Sequence, residues 1–182
     1  MPTRFVAAPS PPKILFLDID GVLNSSEWFA RPRNGLGELA HFDPTLVERV
    51  DEIARRTGAA VVISSAWRLS HPLDELRTLL RRAGLVRAPI IGETPEIEGG
   101  ILDGLVRAVE IVHWLEDHPV EARPQDGATV RSFAILDDLG DFGPLAPWHV
   151  RTSLDVGVTR ADVERTVALL TNGAPATLGQ GS

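Results

Sequence analysis

A chain of 182 residues, 43% hydrophobic and 24% charged, carries enough apolar material for one ordinary domain and is short for two. Its formal net charge of -7 argues against broad non-specific binding to nucleic acid, which needs Lys and Arg to neutralise phosphates, and the lack of cysteine excludes a disulfide framework or a thiolate metal site. Met1 to Ser10 lacks the apolar core of a signal peptide, and no run reaches the roughly 18 apolar residues of a membrane span, so the cytoplasm is the expected location.

Residues 1–12, with Pro2, Pro9, Pro11 and Pro12, read as a loose N-terminal arm ahead of a domain over 13–171, and 172–182 read as a tail. Ile14 to Leu17 form an apolar run without alternation, the pattern of a strand covered on both faces, and it ends in Asp18-Ile19-Asp20-Gly21. Two carboxylates spaced i, i+2 at a glycine turn repel each other unless hydrogen bonds or a positive group hold them. A divalent cation is the simplest remedy, and magnesium suits a few carboxylates while leaving room for a substrate phosphate.

Residues 24–42 show no clear period and contain Trp28, Phe29, Arg31 and Arg33, which suits either a small flap over a substrate or packing at the core edge. Asp43-Pro44 then starts a helix that stops at Gly58. A second buried strand, Ala59 to Ile63, runs into Ser64-Ser65-Ala66-Trp67-Arg68. Leu73, Leu76, Leu79 and Leu80 mark a helix ending at Gly84, Val86 to Ile91 a short third strand, and Leu105, Val109, Val112 and Leu115 a helix over about 103–117. Ser132 to Leu136 is a strand that ends in Asp137-Asp138; a short strand near His149 to Thr152 and a helix capped by Thr159 and Asp162 close the domain.

Strands alternating with helices predict an α/β fold, a Rossmann-like parallel sheet in three layers with helices on both faces. Ligands of such sheets sit beyond the carboxyl ends of the strands. Three strand ends are polar in the same way: Asp18 and Asp20, Ser64 and Ser65, Asp137 and Asp138.

The string Asp-x-Asp-Gly-Val-Leu-Asn after an apolar strand resembles the first motif of the haloacid dehalogenase-like phosphohydrolases, a fold here expected to have no large cap domain. The resemblance implies Asp18 as nucleophile, Asp20 as general acid and base, and Ser64 as a phosphoryl-binding hydroxyl, with Ser65 the competing choice. It implies a Mg2+ site made by the Asp18 and Asp137 carboxylates and the Asp20 backbone carbonyl, with Asp138 supporting and Asp141 a weaker outer candidate. The expected third-motif cation is Arg107, which lies in the first turn of a helix, where a cation is disfavoured unless an anion faces it. Arg68 is the alternative or a substrate clamp, and Gly21 and Ser65 are expected near the substrate.

Together with Ser-Ser-Ala-Trp-Arg, the helix carrying Arg107, Glu110 and Trp114, and Leu-Asp-Asp, the pattern is similar to the haloacid dehalogenase-like domains of Swiss Army Knife RNA repair proteins. That similarity implies a phosphatase acting on RNA or DNA ends. A small-metabolite phosphatase, a phosphotransferase of the same mechanism and a non-catalytic phospho-ligand-binding domain are the other readings.

Overall fold

The computed structural model describes residues 13–32, 35–97, 104–118 and 132–173; the expected arm over 1–12 and most of the expected tail lie outside them. In chain order the elements are β1 (Ile14–Leu17), α1 (Ser26–Phe29), α2 (Pro44–Thr57), β2 (Ala60–Ile63), α3 (Leu73–Ala83), β3 (Ile90–Glu93), α4 (Gly104–Asp117), β4 (Phe133–Asp137), β5 (His149–Arg151) and α5 (Arg160–Asn172). The strands make one sheet in the order β3-β2-β1-β4-β5, every pair parallel, so β1 lies at the centre.

Both faces are covered, as the apolar strands require. Leu15, Leu17, Val61, Ile63, Ala134 and Leu136 point into one layer, filled by Leu46, Val47, Val50 and Ile53 of α2, Leu76, Leu79 and Leu80 of α3, and Val163 and Leu170 of α5. Ile14, Phe16, Val62, Phe133 and Ile135 point into the other, against Ala108, Ile111, Trp114 and Leu115 of α4. Phe16 meets Trp114 and Phe133 edge-on, with ring centroids 5.4 and 5.9 Å apart, the favoured geometry for aromatic pairs. The period-2 alternation of each strand therefore decides which helix layer a residue at its end will face.

Local signals fix the helix ends. The Asp43 carboxylate accepts from Thr45 N–H before Pro44 opens α2, and Gly58 in the left-handed region closes it. Thr159 and Asp162 make a reciprocal capping box at α5.

Two expectations need correction. The third strand is Ile90–Glu93 rather than Val86 to Ile91, because Arg87 N–H donates to the Asp51 carboxylate at 2.6 Å and turns that part of the chain out of the sheet. The 24–42 insert is also more regular than its sequence suggests. Ser25 caps the single turn of α1, Gly37–His41 form a 3-10 helix, and Trp28 Nε1–H donates to the Ala40 carbonyl at 2.9 Å. Nothing in the insert or elsewhere among the described residues amounts to a large cap, and no described helix is long and apolar enough to cross a membrane.

Candidate active site

Register sets the site. Leu17 pairs with Ile63 of β2 and with Leu136 of β4, so the next residues in the three strands, Asp18, Ser64 and Asp137, end the sheet flush. Each follows a residue that faces the α2–α3–α5 layer, so alternation turns all three toward α4. All three are buried: Asp18 is 4% exposed, Ser64 and Asp137 are 0%.

From α4, Arg107 reaches into this row. Its Nη1 lies 2.8 Å from Asp18 Oδ2 and 2.9 Å from Asp137 Oδ2, so one nitrogen bridges two strand ends. The remaining oxygens are also engaged: Asp18 Oδ1 accepts from Ile19 N–H at 2.7 Å and Asp137 Oδ1 from Leu139 N–H at 2.9 Å. The Ser65 hydroxyl accepts from Trp67 N–H at 3.4 Å and lies close enough to Asp18 to favour its charged form. Behind the row, His149 Nε2 lies 3.0 Å from the Asp137 carbonyl, so its Nε2–H donates there.

Burial dominates the electrostatics. It raises the Asp18 carboxyl above the ordinary carboxylate range despite Arg107 and the nearby Ser65 hydroxyl. Burial, then the charge of Asp18, pushes Asp137 up to about 7, with Arg107 opposing. Asp138 is raised too, first by burial. For Arg107, burial works against the cation, but Asp18 and Asp137 outweigh it and the guanidinium is held charged.

Asp18, Asp137 and Asp138 offer oxygens that all lie within 4.8 Å of one another. This donor set fits a hard divalent cation: the ligands are all oxygens, and at each of them a neighbouring carboxylate adds to the burial that raises its pKa. Asp138 is the most open of the three and packs against Gly21. A Cβ on Gly21 would come within 2.6 Å of Asp138 Cγ, and φ is +67° there, so glycine is required on both counts. The Asp20 carboxylate stands apart from that group. Its Oδ1 accepts from Asn24 Nδ2 at 2.8 Å and its Oδ2 from Trp67 Nε1 at 3.0 Å, and the Asn24 side-chain Oδ1 in turn accepts from Gly21 N–H at 3.0 Å.

The structure thus brings Asp18, Asp137, Asp138, Arg107 and Ser65 together, with Ser64 level with Asp18 and Asp20 on the insert side. The Ser64 hydroxyl is buried without a hydrogen-bond partner, as is Arg107 Nε. Arg68 is placed elsewhere. Its side chain is 2% exposed, its Nη2 sits 2.6 Å from Glu110 Oε2, its Nη1–H donates to the Ser65 carbonyl at 2.7 Å and its Nε–H to the Thr94 carbonyl at 3.0 Å. Asp141 is exposed and accepts from Gly143 N–H at 3.3 Å, outside the acidic group. Sequence reasoning assigned no role to Glu110, Asn24 or Trp67. The spacing of Glu110, one turn after Arg107 on the same helix, is the signal that it shares the inward face.

A parallel sheet with a central-strand aspartate tied to a second strand-end aspartate, and no large cap among the described residues, places the chain among the haloacid dehalogenase-like hydrolase domains. It belongs to the family described as the HAD domain in Swiss Army Knife RNA repair proteins, whose model matches residues 14–163. No curated protein and no solved structure matches the chain.

Proposed function

We propose that this domain is a magnesium-dependent phosphomonoesterase that works through an aspartyl-phosphate on Asp18. The observation that supports it most is the single Arg107 nitrogen bridging Asp18 and Asp137 at the end of the central strand. A buried carboxylate held by a cation, beside two unpaired buried donors, is an arrangement that a phosphoryl group would complete.

In the first half-reaction an Asp18 carboxylate oxygen bonds to phosphorus while the bond from phosphorus to the leaving oxygen breaks, and that oxygen takes a proton from Asp20. In the second, Asp20 takes a proton from water as the water oxygen bonds to phosphorus; the Asp18 ester bond breaks, restoring the carboxylate and releasing inorganic phosphate. Arg107 orients Asp18 and offsets its charge, and the Ser64 hydroxyl and Arg107 Nε–H are the donors available to phosphoryl oxygens. Magnesium bound by Asp18, Asp137 and Asp138 would supply the charge that offsets the phosphoryl oxygens.

For substrate, we favour a phosphorylated nucleic-acid end. The family's occurrence in RNA repair proteins and the lack of a large cap among the described residues support this choice. The test is phosphate release with and without Mg2+ from an aryl phosphate, sugar phosphates, nucleotides and oligonucleotides phosphorylated at the 3′ or 5′ end. Magnesium-dependent release that favours one oligonucleotide end is expected. Preference for small esters would overturn the substrate assignment alone, and no release from any substrate by folded protein would overturn the phosphatase reading.

A further inference from the structure

We infer that Trp67 is a positioning residue for Asp20, holding its carboxylate in the orientation that proton transfer uses and coupling it to the 24–42 insert. This rests on the phosphatase reading above. Asp20 is exposed, and an exposed aspartate ordinarily samples several rotamers. Here two donors hold it, one on each oxygen: Asn24 Nδ2 at 2.8 Å and Trp67 Nε1 at 3.0 Å. Asn24 also receives the Gly21 N–H, so it belongs to the turn itself and travels with it. Trp67 comes from another part of the chain, the 3-10 helix Ala66–Leu69 that follows the end of β2.

The indole is itself fixed from several sides. His71 stacks on it with ring centroids 5.1 Å apart, His41 meets it edge-on at 5.4 Å, and Phe42 packs at 5.5 Å. The Trp67 carbonyl accepts from Ser70 and His71 N–H at 3.1 and 3.0 Å. His41 and Phe42 are the last residues of the insert. Thus one ring touches the insert at His41 and Phe42 and the Asp20 carboxylate through its only polar atom. An indole N–H donates and never accepts, so with Asn24 on the other oxygen it holds the carboxylate's orientation. Ring packing and N–H donation are separate properties, and the roles can be tested apart.

Trp67→Phe keeps an aromatic ring and removes the N–H. With magnesium saturating, kcat/KM for an alkyl phosphate, which reports the first half-reaction and whose leaving oxygen needs a proton, is expected to fall about tenfold, a part of what general acid catalysis is worth. For an activated aryl phosphate, which leaves without that help, kcat/KM should stay within about twofold, whereas kcat also carries the second half-reaction, in which Asp20 serves water with either substrate. A purely structural role would lower the two rates alike, and that result would overturn the inference, as would no change in either. Asp20→Asn, measured beside it, separates the two levels. If it lowers kcat/KM for both substrates equally, the acid role of Asp20 and the proposed mechanism fail; if it is selective and Trp67→Phe is not, only the role of Trp67 fails. Should Trp67→Phe not fold, the indole N–H signal of Trp67 in 15N-tryptophan-labelled protein decides. It is expected to move on Asp20→Ala, and an unmoved signal would overturn the inference.

Discussion

Two arginines are buried among the described residues, and both are paired with carboxylates, yet their surroundings differ. Arg68 has all three of its nitrogens engaged: Glu110 lies 2.6 Å from Nη2, and the Ser65, Thr94 and Pro95 carbonyls accept from Nη1, Nε and Nη2, so it ties the end of β2 to the chain after β3 and to α4. Arg107, one turn from Glu110 on α4, serves two carboxylates with a single nitrogen and keeps an Nε–H without an acceptor. Arg68 balances one charge with one, whereas Arg107 stands among three carboxylates. Burial and ion pairing are common to both. What separates the scaffold arginine from the site arginine is remaining hydrogen-bond capacity and unbalanced charge, since a ligand can only bind where something is left to satisfy.

The comparison can be broken at several points. The largest effect is expected from Asp18→Asn, which removes the proposed nucleophile and one of the two carboxylates Arg107 bridges. Loss of a nucleophile should lower kcat by about 10,000-fold or more, while circular dichroism shows the native fold. Arg107→Ala should cost about 100- to 1,000-fold in kcat, the scale of removing one electrostatic stabiliser, with Arg107→Lys recovering part of it. Arg68→Met should act on stability instead. It leaves Glu110 buried without its partner, a loss of about 3–5 kcal/mol by denaturant titration, and kcat of the folded protein should change less than about threefold. The double variant Arg68→Met with Glu110→Met should regain most of that stability. If Arg68→Met lowered kcat as far as Arg107→Ala at native-like stability, the distinction between the two arginines would be wrong.

The smallest effect tests the charge imbalance around Arg107. Asp137 titrates at about 7 in the folded chain against an ordinary 3.8. The folded state therefore keeps a proton between those values that the unfolded state has released, so this group's contribution is full below 3.8 and is lost as pH rises through 7. In chelator, Tm should fall by a few degrees from pH 5 to pH 8, and Mg2+ should restore it at pH 8. A Tm in chelator that is level over this range would argue against the imbalance.

The row Asp18, Ser64, Asp137 was legible because each residue ends an uninterrupted apolar run, and parallel strands of this kind present such ends together. The choice of Arg107 followed from its place in the first turn of a helix, a location that calls for a facing anion. The role of Arg68 was not legible. Its acceptors are backbone carbonyls of Ser65, Thr94 and Pro95, which side-chain identity does not encode, and its carboxylate partner lies on a helix distant in sequence. Gly92 and Glu93 read as loop because an edge strand tolerates residues that a central strand excludes, and β3 has only β2 as a neighbour. The clasp on Asp20 was hidden for a similar reason, since tryptophan after a strand end gives no sign of where its N–H will point.

The flush strand ends have a consequence for how such a domain can vary. One residue inserted within β1, β2 or β4 would advance that end by about 3.3 Å and turn its side chain toward the opposite helix layer. The span of each of these strands therefore works as a ruler, with the reading taken at its last residue. Insertions, fusions and permuted termini should be tolerated in the connections that lead into the strands, away from the turns that carry Asp20, Gly21, Trp67 and Asp138, whereas a single added residue between Ile14 and Asp18 should be enough to leave a well-folded chain with no working centre.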